Sequence, residues 1–184
     1  MKMLYALVAA AAAALALAAT PVSAAPVQFS AHLDGASEAP PNGSTAFGDA
    51  LVTLDNTTFT VAVHVDFSGL TQPATAAHIH CCTAIPFTGV VGVFQGFPGF
   101  PSATAGTYDN VFTLTSARFA TLFNGIEEGS AYVNIHNATF PGGEIRGFLI
   151  QEQPTLIPEP GTLVLVLAGF GLAGATIRRR RGAA

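Results

Sequence analysis

Residues 58–67 read Thr-Phe-Thr-Val-Ala-Val-His-Val-Asp-Phe. Phe59, Val61, Val63, Val65 and Phe67 alternate with Thr60, Ala62, His64 and Asp66. Successive side chains on a strand point to opposite faces, so apolar residues at period two predict a half-buried β-strand. The pattern recurs upstream, where Val27, Phe29, Ala31 and Leu33 share one face. Ala50, Val52 and Leu54 form another such set, and the turn-like Asp55-Asn56-Thr57 joins it to the long strand as a hairpin. Further strand candidates are Ala77 to Cys82, Val90 to Phe94, Tyr108 to Leu114, Ala131 to Asn137 and Glu144 to Gln151.

Gly and Pro punctuate the gaps: Pro40-Pro41-Asn42-Gly43 and Pro141-Gly142-Gly143 read as turns, and 95–106 as a long loop. One segment changes period. Phe119, Leu122, Phe123 and Ile126 recur at helical spacing after Thr115-Ser116, with Gly129 placed to end the helix. Seven or eight short strands and one short helix predict an all-β fold, an antiparallel β-sandwich.

Both ends of the chain read as handling signals. Lys2 is followed by an apolar run from Leu4 to Ala19 and by the small-residue pattern Val22-Ser23-Ala24. That order predicts a signal peptide over residues 1–24, removed by signal peptidase. At the other end, Pro158-Glu159-Pro160 precedes Gly161 to Ile177, a stretch without charge, and then Arg178 to Arg181. As a helix this stretch spans ~25 Å, the low end of what crosses a bilayer. The arginines keep its end on the cytoplasmic side, which places the preceding domain outside. Pro158, Glu159, Pro160, the apolar segment 161–177 and Arg178, Arg179, Arg180 and Arg181 together resemble the PEP-CTERM sorting signal of Gram-negative bacteria. The resemblance implies recognition by exosortase, a membrane protease-transpeptidase, and an association with bacteria that make exopolysaccharide. The implied product is an exported precursor anchored in the cytoplasmic membrane, destined for the cell envelope or extracellular matrix.

Residues 25–153 remain as one domain, and 154–184 as the sorting segment. Within the domain Arg118 and Arg146 stand against ten acids, a net charge of about −8 with His neutral. Nucleic acid, which needs a basic face, is excluded as a partner. The two cysteines, Cys81 and Cys82, are adjacent. Neighbours on a strand point to opposite faces, so no ordinary structural disulfide is expected.

The domain itself resembles the CHRD (chordin-type) domain. The resemblance rests on Phe29 through Pro41 (FSAHLDGASEAPP), His78-Ile79-His80, Tyr132-Val133-Asn134-Ile135-His136 and Pro141 through Gly147 (PGGEIRG). It implies an extracellular β-rich module without an established enzyme activity. No nucleophile elbow, phosphate loop or dinucleotide fingerprint is legible, and no catalytic residue is expected. The first expectation is therefore a non-catalytic binding or structural domain.

Read as chemistry, the same residues offer a second expectation. His78 and His80 share a strand face. Val133 and Ile135 turn inward, as does Ile145, so His136 and Glu144 point away from the core. If the three strands are neighbours, His78, His80, His136 and Glu144 gather on one surface. Cys82 shares the parity of the first two histidines. Imidazoles so placed can chelate zinc or copper, with Cys82 as a softer ligand. The alternative is a set of structural hydrogen bonds. His-x-His on a sandwich is also similar to copper-zinc superoxide dismutase, but the His and Asp of the second metal site are missing. His32 and His64 are expected at the surface.

Overall fold

The structure is a computed structural model that describes residues 25–152, apart from 83, 84, 86 and 88. The predicted signal peptide 1–24 and the sorting segment 154–184, with its transmembrane helix 161–177, lie outside the described residues. Among the described residues no helix is long and apolar enough to cross a membrane.

Nine strands and one helix follow in the order β1 (Val27–Asp34), β2 (Phe47–Asp55), β3 (Thr60–Ser68), β4 (Ala74–His80), β5 (Val93–Gly96), β6 (Gly106–Thr113), α1 (Ser116–Glu127), β7 (Tyr132–Asn137), β8 (Ile145–Phe148) and β9 (Ile150–Gln151). All pairings are antiparallel, and the order across the sheet is β5-β4-β7-β8-β1-β2-β3-β6, with β9 also on β1. The all-β architecture is the one the alternation predicts, but its layers are built from one sheet. Phe97, just past β5, stacks on Tyr108 of β6 at 5.2 Å and on Phe112 at 6.1 Å. The two ends of the strand order thus meet through this aromatic segment, and the sheet curls around a single core.

Parity assigned the core correctly along most strands. Phe29, Ala31 and Leu33 of β1, Val52 and Leu54 of β2, and Val61, Val63, Val65 and Phe67 of β3 are all buried. Removing each Val or Leu from water contributes about 1.5–3 kcal/mol. The β2–β3 hairpin turns as expected: Asp55 Oδ1 accepts from the Thr57 N–H at 2.8 Å, an Asx turn. Phe59 departs from the reading. It precedes β3, has φ 54° and is 38 % exposed. It packs against the helix instead, edge-on to Phe119 at 5.7 Å.

Helix α1 begins where the sequence indicates. Thr115 caps it, its hydroxyl accepting from the Arg118 N–H at 3.3 Å. Phe119, Leu122 and Ile126 bury one face. Gly129 ends it with φ 66°, its N–H donating to Ile126 O at 2.9 Å, as left-handed caps require. Strand β4 stops at His80 rather than Cys82. Cys81 and Cys82 lie beyond it and are joined to each other by a disulfide between sequence neighbours, which is not the ordinary structural kind. The pair packs against α1 at Gly125, where a Cβ would collide with both sulfurs.

Candidate metal centre

Strands β4, β7 and β8 are neighbours, as the site requires. Register places His78 opposite Asn134, His80 opposite Tyr132, and Asn134 opposite Arg146. These side chains all leave the core face, as parity predicts. They are nevertheless mostly buried, because two loops cover them. Arg146 ties both loops down: its Nε donates to Ser37 O in the loop after β1, and Nη1 donates to Gly89 O at 3.2 Å. Its guanidinium also lies over the Tyr132 ring, 4.8 Å from the centroid.

His78, His80 and His136 come together. One nitrogen from each lies within 4.8 Å of the others. The closest pair is His78 Nδ1 and His136 Nε2, at 3.2 Å. Zinc–nitrogen bonds of about 2.0–2.1 Å put ligating nitrogens roughly 3–4 Å apart in a tetrahedral site. The trio is near that spacing, so a small closure suffices.

Two of the rings are locked by backbone carbonyls. His80 Nδ1 donates to Val91 O at 2.7 Å, and His136 Nδ1 donates to Pro141 O at 3.1 Å. A carbonyl can only accept, so both Nδ1 atoms carry the proton and both Nε2 atoms keep a lone pair. This is the arrangement by which neighbouring groups orient imidazole ligands. His80 also stacks on Tyr132, with centroids 4.8 Å apart and planes 3° from parallel. His80 Nε2 is buried and has no hydrogen-bond partner among the described residues.

The electrostatics favour neutral rings. Burial pulls the His136 pKa down to about 4 against the opposing bond to Pro141, and its two neighbouring histidines add to the fall. Burial lowers His80 as well, and the Arg146 charge adds to that. His78 falls for the same first reason, with His80 second. Neutral imidazole is the form that ligates.

The other two proposed ligands are placed elsewhere. Glu144 is fully buried, but its carboxylate accepts from Ser44 Oγ at 2.6 Å, from the Thr71 N–H at 3.0 Å and from Asn137 Nδ2. It anchors loops to β7 and β8 and does not join the trio. Cys82 is held in its disulfide, with Sγ 3.6 Å from Thr121 O of α1. Strand parity could not place it, because the strand has already ended. His32 and His64 are surface residues as expected, paired with Asp49 at 2.8 Å and with Asp109 at 2.8 Å. The supporting roles of Val91 O, Pro141 O, Tyr132 and Arg146 are not legible in the sequence as such. Only Tyr132 and Arg146 carried a signal, the parity they share with the ligands.

The same motifs decide the family. The CHRD domain model matches residues 29–149. The chain belongs to the CHRD domain family. All three histidines and their supporting groups fall inside the CHRD match. A PEP-CTERM protein-sorting motif matches residues 156–181, directly after the CHRD domain. The motif makes the chain an exosortase-sorted, exported protein whose membrane-anchored precursor is destined for the cell envelope. No curated protein and no solved structure matches the chain.

Proposed function

We propose that this CHRD protein is a non-catalytic envelope or matrix protein whose domain binds one zinc or copper ion through His78, His80 and His136. Signal peptidase and exosortase process it, and exopolysaccharide is the surrounding material. The observation that carries the metal reading is the orphaned His80 Nε2. Purely structural bonding pairs His78 with His136 and leaves this buried nitrogen unsatisfied, at a cost of about 1–3 kcal/mol. One ion at the meeting point of the three rings takes all three lone pairs. Three neutral nitrogen donors suit zinc and copper, whereas calcium and magnesium favour oxygen.

The test is elemental analysis of the full chain, exported to a periplasm and purified without chelators. The expected result is about one zinc or copper per chain, lost in His136→Ala while the circular-dichroism spectrum stays β-rich. A metal-free protein that gains no thermal stability from either ion removes the metal reading and leaves a plain binding or structural module.

A further inference from the structure

The cysteine pair sits against helix α1 at a point shaped for it. Cys81 packs partly against the hydrophobic core, whereas Cys82 is exposed. Their sulfurs lie 4.0 and 3.6 Å from Thr121 O. One turn on, Gly125 is buried inside α1, and a Cβ there would collide with both sulfurs. Glycine is a poor helix-interior residue, and alanine is favoured in its place. Room for the sulfur pair is what position 125 needs glycine for. Gly125 is fixed in turn: its carbonyl accepts from the N–H and the hydroxyl of Ser130, at 2.7 and 2.8 Å.

A disulfide between neighbours does little as a staple. The stabilisation a disulfide gives grows with the length of chain it closes, and these two cysteines are adjacent. The bond does decide what fits the helix. Bonded sulfurs are about 2.05 Å apart. As two thiols they must separate to van der Waals distance, roughly 3.5 Å or more. The notch at Gly125 holds both sulfurs at once, so it fits the bonded pair and not the separated one.

We propose that Cys81–Cys82 is a thiol–disulfide exchange site for dithiols outside the cytoplasmic membrane, latched on α1 when oxidised and released from it when reduced. Exposed disulfides are the ones open to such exchange, and Cys82 is the exposed partner. One thiolate of the dithiol bonds to the Cys82 sulfur, the Cys81–Cys82 bond breaks, and Cys81 leaves and takes up a proton. The second thiolate then attacks the reagent's own sulfur in the mixed disulfide, and Cys82 leaves and takes up a proton. Two electrons and two protons pass to the cysteines, and the dithiol is oxidised to its disulfide. Because the notch fits only the bonded pair, filling the notch must drive the equilibrium toward thiols. The proposal stands apart from the metal reading, since no histidine takes part.

The probe is dithiothreitol, in mixtures of its reduced and oxidised forms, equilibrated with the full chain in detergent and chelator. Thiols are trapped by alkylation and counted by mass. The chain has two cysteines, so every trapped thiol belongs to the pair. The expected result is reversible passage between no thiols and two while the circular-dichroism spectrum stays β-rich. Gly125→Ala should raise the ratio of reduced to oxidised chain at least about fivefold, the low end of what overpacking costs. With Cys81→Ala and Cys82→Ala already in place, the same substitution should leave the Tm unchanged or raise it, since alanine favours the helix. Hydrogen exchange reads the latch without any variant at position 125: reducing the wild type should speed exchange of the α1 amides around Thr121 and Gly125 at least about fivefold. Thiols trapped without reductant, or reduction only as the β-rich spectrum is lost, overturn the exchange site. Equal exchange of the α1 amides in both redox states overturns the latch. So does a ratio that Gly125→Ala leaves unmoved, or a cost of that substitution that persists without the cysteines.

Discussion

Replacing Glu38 by Gln tests whether burial or the nearby arginine governs the loop that covers the histidine face. Glu38 is 7 % exposed and accepts from Asn134 Nδ2 at 3.0 Å. Burial raises its pKa from 4.5 to about 7, against the opposing Arg146 charge and the hydrogen bonds of Ala39 and Asn134. The folded protein therefore holds a proton that the unfolded chain has released between these values. Stability from this proton is complete below pH 4.5 and is lost as pH rises through 7. At 1.36 kcal/mol per unit, the interval is worth about 3 kcal/mol as an upper limit, and water reaching the carboxylate reduces it to about 1–2 kcal/mol. The Gln amide resembles the neutral acid and does not titrate. Urea unfolding of wild type and Glu38→Gln, both with chelator, should show the variant gaining about 1–2 kcal/mol relative to wild type between pH 4.5 and pH 8. Other titrating groups are common to both proteins and cancel. A difference that is flat with pH, or that favours wild type at pH 8, would refute the argument and make the Arg146 attraction the larger effect.

The remaining predictions concern the ends of the chain. Replacing Arg178 to Arg181 by Ser should alter membrane retention or processing in the native host, read by the size and fraction of the product, because the positive cluster holds the segment's end inside. Unchanged processing counts against that role. A chain truncated to residues 25–153 should give a β-rich circular-dichroism spectrum, since the buried hydrophobic core among the described residues lies between Phe29 and Leu149. A disordered spectrum sinks the domain boundaries.

Much of this domain is visible in its residue pattern, because strand parity is a short-range property. The inward sets of β1, β2, β3, β7 and β8 follow from alternation alone, as does the shared face of His78, His80 and His136. Parity names a face but not what covers it. All six residues of β7 are buried, since loops distant in sequence close over its outer side. That is why Glu144, correctly turned away from the core, meets Ser44, Thr71 and Asn137 instead of the histidines. The start of β5 at Val93 rather than Val90 has a similar cause: β5 is an edge strand whose extent is set by its β4 partner. Phe59 fits the alternation but falls in the hairpin turn, where its left-handed backbone removes it from the strand. Strand parity does not extend to Cys81 and Cys82, because β4 ends at His80.

Strand β1 takes neighbours from both ends of the domain: β2 immediately after it, and β8 and β9 more than a hundred residues later. An exported chain emerges amino terminus first. The first strand can zip to its hairpin neighbours early, yet its other edge has no partner until Arg146, and then Ile150 and Gln151, have crossed. This seam joins the histidine-bearing half of the sheet to the rest, so completion of the fold is timed by the last few residues before the sorting motif. Loops that large close slowly, and in the interval the open edge is an unpaired row of backbone groups on which another chain could pair.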